Sequence, residues 1–102
     1  MSSQCILLHR NDNVATALTD LPEGSHVLAE LGGVAHEIVL IEAVAFAQKF
    51  ALCDIAAGEP VLKYGLPIGQ ATQPIPRGAW VHVHNCRSTR HGFHRDQYGD
   101  KA

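Results

Sequence analysis

Three short stretches, DLPEGSHV at 20–27, DIAAGEPV at 54–61 and PIPRGAWV at 74–81, repeat one pattern: an apolar residue, two residues, Gly, two residues, Val. Gly24, Gly58 and Gly78 can each take the positive φ that a tight turn demands, and the Val that follows opens a new strand. A chain punctuated in this way folds into short strands joined by turns. The prolines agree: Pro22, Pro60, Pro67, Pro74 and Pro76 all sit at or beside these junctions, where a missing N–H does least harm to a ladder.

Between the turns, Gln4 to His9 reads as a short apolar strand. Asn11, Asp12 and Asn13 offer capping side chains just before Val14, Ala17 and Leu18, whose spacing predicts a short helix with one buried face. His36 to Val44 is rich in Ile and Val and predicts a strand, followed by a helical turn through Gln48. Residues 62–72 predict two short strands around Gly65 and Pro67, with Gly69 at a bulge or a close backbone approach. From Arg87 onward there is no periodic apolar face. The expected organisation is one β domain over residues 1–86 with one or two short helices, then a polar tail over 87–102 that orders on a partner.

A chain of 102 residues builds one modest core, with little room for a buried multi-group active site of its own, so chemistry here calls for a second chain. A net charge of −2 gives no footprint for nucleic acid. No apolar run approaches the roughly 20 residues a membrane helix needs. Cys5, Cys53 and Cys86 are odd in number, with no CxxC spacing and no signal peptide before them, which points to free thiols in a reducing cytoplasm.

His82 and His84 are the first candidates for chemistry. At strand spacing both imidazoles project from one face, where they can ligate a divalent metal, although a closed site needs three or four ligands. The same pair also reads as a half-exposed strand end. Cys86 is read as a poorer third ligand than its proximity suggests. His91 and His94 make four histidines within the last part of the chain, which leaves a metal carrier as a further reading. Lys49 and Lys63, each flanked by apolar residues, can attract a carboxylate or, if desolvated, act as a base; they can equally snorkel over apolar surface. Asp20 and Asp54 begin two of the repeated turns and are expected to cap them.

The order DNVATAL, KFALCDIAAGEPVLKYGLPIGQAT and IPRGAWVHVHN resembles the SAF domain at the N-terminus of altronate and galactarate dehydratases, and the separate small subunits of that family, including that of sulfolactate sulfo-lyase. The likeness runs over residues 8–85. Its specific motifs are KYG (Lys63, Tyr64, Gly65), IG (Ile68, Gly69) and HVHN (His82, Val83, His84, Asn85). The resemblance implies a mostly β, compact β-clip fold and β-elimination from a sugar acid or related hydroxy acid, often with ferrous iron or manganese.

It also implies an accessory subunit, cytoplasmic, with a large catalytic subunit as partner. His82 and His84 would contribute metal contacts shared with that subunit. Lys49, Lys63, Gln48 and Asn85 would contact the substrate, and Arg87, Arg90 and Arg95 would dock the tail or assist with the anion. Members commonly carry Gly-His-Lys where this chain has Ala47, Gln48 and Lys49. Gln48 cannot ionise and is a poor metal ligand. That departure favours an alternative: a non-catalytic module that binds an acidic carbohydrate or a protein partner, alone or as a homo-oligomer.

Overall fold

The computed structural model describes residues 4–89. Among these residues nine strands, all paired antiparallel, make three small sheets. β1 (Cys5–Ile6), β2 (Val14–Ala17), β5 (Lys49–Ala51) and β8 (Trp80–Val81) form one in that order; β3 (His26–Leu31) and β4 (Val34–Val39) form a ribbon; β6 (Pro60–Lys63), β7 (Leu66–Ala71) and β9 (Cys86–Ser88) form the third. The fold is mostly β, as the resemblance implies.

Neither expected helix forms among the described residues. The segment read as a capped helix is β2, paired to β1 and β5. Its presumed caps serve a different partner. The Asp12 carboxylate accepts the backbone N–H groups of Tyr64 and Gly65, and the Asn13 amide clamps Leu62 N–H and the Pro60 carbonyl. These contacts fasten the β6–β7 hairpin onto the main sheet. The second expected helix, ending at Gln48, is a tight turn. The strand before it ends at Val39, where Leu40 turns into the core and donates to Ser25 O. Arg87 and Ser88, read as the start of the tail, belong to β9 and pair with Gln70 and Gly69; residues 90–102 of that tail, with Arg90, His91, His94 and Arg95, lie outside the described residues.

The repeated turn occurs four times. Besides the three glycine copies, residues 44–50 (VAFAQKF) take the same course, with Ala47 at φ 72° where the others have Gly at φ 86–88°. In each copy the residue at the positive-φ position donates to a distant carbonyl, and the next residue donates back three positions: Ser25 to Pro22, Gln48 to Ala45, Glu59 to Ala56, Ala79 to Pro76. The copies pair off, Leu21 bridging Val44 and Ile55 bridging Ile75. Asp20 and Asp54 do cap turns, but in the paired copy: Asp20 accepts Phe46 N–H and Asp54 accepts Arg77 N–H, each at 2.8 Å.

Each pair encloses a hairpin and a core. The first core gathers Leu21, Val27, Ile38, Leu40, Val44 and Phe50, the second Ile55, Val61, Ala71, Ile75 and Val81. Strand alternation divides β5 between them, Phe50 facing the first and Ala51 the second. The hairpins turn through two successive positive-φ residues, Gly32–Gly33 and Tyr64–Gly65, the conformation that suits a right-twisted two-residue loop. As expected, two strands flank Gly65. The bulge falls between Val61 and Leu62, while Gly69 marks a close approach, a Cβ there meeting Cys86 Sγ at 2.7 Å and Arg87 O at 2.8 Å.

Candidate functional site

The first residue after the turn is Lys49 in the second copy and Trp80 in the fourth, and β5 and β8 run antiparallel with Lys49 opposite Val81 and Phe50 opposite Trp80. The two exits therefore lie side by side on neighbouring strands, with β8 at the sheet edge. Beyond Val81 the strand stops. His82 to Asn85 form a turn in which His82 O accepts the N–H groups of both Asn85 and Cys86. The expected alternation of His82 and His84 on a strand face is thus replaced by a turn.

The imidazoles are nonetheless gathered, by Trp80. The His82 ring stacks on the indole with centroids 5.1 Å apart and planes 12° apart, and the His84 ring lies tilted at 4.9 Å. The indole N–H donates to Gln48 Oε1 at 3.4 Å, and the Trp80 backbone N–H donates to Glu42 Oε2. Asn85 is buried. Its Nδ2 donates to Trp80 O at 2.8 Å and its Oδ1 accepts His82 N–H at 2.9 Å, so this side chain holds the turn from inside.

The turn also keeps Cys86 beside His82. Lys49, Ile68, His82, Val83, Cys86 and Ser88 line an open cleft of about 320 Å³. Residues 82 and 86 share one strand face by parity, and across the turn both still line the cleft. Lys63 stands at the end of β6 with Nζ 5.3 Å from the centre of the Tyr64 ring, within a range suited to cation–π attraction. Lys49, His82 and Cys86 thus meet in one cleft; Lys63 acts on it by charge, and Gln48 and His84 join through Trp80.

Burial pulls the Lys49 ammonium below the usual lysine range; Cys86 opposes that shift and the Lys63 charge adds to it. Burial likewise pushes the Cys86 thiol up, against the Lys49 charge and a backbone hydrogen bond from Gln70. The cleft therefore combines a partly desolvated amine, a protonated thiol and an imidazole, a set suited to an anionic oxygen ligand.

For a metal, the donor set is incomplete. No group of three or more His, Cys, Asp or Glu side chains that could hold an ion occurs among the described residues. His82 and His84 fit a divalent ion only as part of a larger ligand set. Trp80 and Cys86 are the site residues that sequence reasoning passed over, and an aromatic residue directly before the HxH run was the available signal for the first.

A groove of about 370 Å³ on the β3–β4 ribbon, lined by His26, Leu28, Glu37 and Val39, contains none of these groups. No helix among the described residues is long and apolar enough to cross a membrane.

Known proteins share this chain's pattern. Altronate dehydratase of Escherichia coli K12 is 46% identical over 95 residues, which are 93% of this chain and 18% of that protein. Altronate dehydratase of Bacillus subtilis 168 is 37% identical over 83 residues, 81% of this chain and 16% of the relative. The chain thus spans less than a fifth of either dehydratase. The (2R)-sulfolactate sulfo-lyase subunit alpha of Chromohalobacter salexigens is 41% identical over 49 residues, 48% of this chain and 52% of that subunit. Residues 3–89 match the altronate/galactarate dehydratase SAF domain, and the chain belongs to that family.

Proposed function

We propose that this domain contributes one wall of the active site of a hydro-lyase that eliminates water from a hydroxylated sugar acid, the remaining wall belonging to a larger catalytic portion. The observation that carries this reading is the open cleft in which Lys49 and His82 face solvent-accessible space. Among the described residues, the charges acting on Lys49 are those of Cys86 and Lys63. A substrate carboxylate supplies the missing counter-charge, with Lys63 adding to the attraction at longer range. Asn85 and Gln48 serve the substrate indirectly, through the turn and the indole they hold.

The larger portion is a separate chain in this reading, making the present one an accessory subunit. The likeness to a sulfo-lyase subunit supports that arrangement. Within the assembled site, His82 and His84 contribute two ligands to a ferrous or manganous ion completed by the larger subunit. Such an ion supplies Lewis acidity toward a substrate oxygen. The complex works in the cytoplasm.

Co-expression with a larger dehydratase subunit, followed by assay of altronate and galactarate dehydration, tests the proposal. Dehydration that needs both chains and falls at least tenfold in Lys49→Ala and His82→Ala is expected. Failure of the chains to associate, or full activity of the larger subunit alone, overturns it.

Gln48, bonded to the indole where family members commonly carry a histidine, favours one second reading: a module that binds an acidic sugar without catalysis. Calorimetric titration of the chain alone with sugar acids distinguishes the two, since saturable binding without a partner belongs to the module.

A further inference from the structure

Among the described residues, Trp80 is the side chain that meets both imidazoles and Gln48. Its ring carries His82 on a nearly parallel stack and His84 in a tilted contact. The indole packs against the first core, which fixes its depth. Its ring N–H is taken by Gln48, its backbone N–H by Glu42, and its carbonyl by Asn85. The two histidines, by contrast, follow the end of a strand in a four-residue turn. An imidazole in such a turn has no strand pleat to aim it, so its direction comes from what it packs against.

We infer that Trp80 is the positioning residue of this site: the indole, anchored by Gln48 and the core, sets the directions of the His82 and His84 rings and acts on any ligand only through them. Gln48 has a role in this arrangement that needs no ionisable group. An amide oxygen accepts the indole N–H as a neutral imidazole nitrogen does, so a glutamine can stand where a histidine is common while the indole keeps its acceptor. Stacking also places both rings over a π face, which favours aromatic contact in offset or tilted geometry.

The decisive measurement is the proton resonances of the imidazole rings in the full chain, labelled at histidine and assigned with His82→Gln and His84→Gln. In the unsubstituted protein the indole ring current displaces the ring resonances of both residues relative to exposed His26. Trp80→Ala abolishes that displacement at both positions. Trp80→Phe, with a smaller ring, reduces it while the backbone amide spectrum stays folded. Gln48→Leu moves the indole N–H resonance and both imidazoles; Gln48→His returns them toward their original positions. Resonances of His82 and His84 that match His26 from the outset, or that do not move in Trp80→Phe and Gln48→Leu, overturn the inference. Should Trp80→Ala fail to fold, those two variants decide.

A second readout rests on the proposed function: in the two-chain enzyme, Trp80→Phe keeps more activity than Trp80→Ala, with the loss in kcat and not in KM. A loss confined to KM assigns Trp80 to substrate contact and overturns the positioning role. If no dehydration occurs at all, the proposed function falls while the resonances still test Trp80.

Discussion

The carboxylate of Asp12 accepts the backbone N–H of Gly65 at 2.7 Å across 53 residues of chain. Its second oxygen takes Tyr64 N–H at 3.0 Å. Both donors belong to the positive-φ turn of the β6–β7 hairpin, and the buried Asp12 is the group that satisfies them. Removing it leaves two amides to find water or remain unpaired. Asp12→Ala is expected to cost about 1.5–3 kcal/mol, the range for hydrogen bonds to a charged group. Asp12→Asn keeps one of the two acceptors and falls between. Urea denaturation of the three proteins checks the order.

Ala47 holds a φ of 72° where the three equivalent turns carry glycine. A Cβ in the left-handed region costs roughly 1–2 kcal/mol, partly offset by the smaller unfolded-state entropy of alanine. Ala47→Gly is therefore expected to stabilise by roughly 0.5–1 kcal/mol and raise Tm by a few degrees. Differential scanning calorimetry reads this directly, and a lower Tm would refute it.

Lys49 is charged at a partly buried position, and its folded-state value lies below that of the unfolded chain. In the window between the two values the unfolded state binds more protons, so stability rises with pH there. Below the window the full cost of the buried charge is present. Lys49→Met is accordingly more stable than the parent at pH 7. Its advantage shrinks as pH rises toward the ordinary lysine range. Denaturation midpoints measured from pH 7 to pH 10 test both sign and trend; a constant difference would exclude this origin.

Gly69 sits against β9, and a methyl group on it meets both Cys86 Sγ and the Arg87 carbonyl oxygen. The thiol can swing aside but the carbonyl is fixed in the strand. Gly69→Ala is expected to cost about 1–3 kcal/mol, as overpacking does. Adding Cys86→Ala should recover only part of that loss, because the backbone contact persists. Chemical denaturation of the single and double variants separates the two contributions.

The turns were legible in the sequence wherever glycine marked them, and the mostly-strand character followed from their number, although the two expected helices did not form. The fourth turn was hidden because Ala47 and Phe50 stand where the other copies have Gly and Val, so the backbone repeats where the letters do not. Asp12 and Asn13 misled for a different reason. Their side chains have capping chemistry, but the amides they satisfy lie far along the chain, and local spacing cannot tell a near donor from a remote one.

At the site, Lys49, His82 and His84 could be singled out by type. Their grouping could not, since it depends on the strand ending at Val81 and on an indole that gathers the rings. Cys86 was set aside although residues 82, 84 and 86 share strand parity, so the period itself pointed to it.

Four turns of one shape present four equivalent sockets, filled by His26, Lys49, Pro60 and Trp80. The backbone of each socket is fixed by its own hydrogen bonds, independently of the side chain it holds. Two of them carry the cleft and the indole; the other two open hairpins. The domain is therefore a modular mount, on which chemical identity can be exchanged at one socket while the other three keep the frame in register.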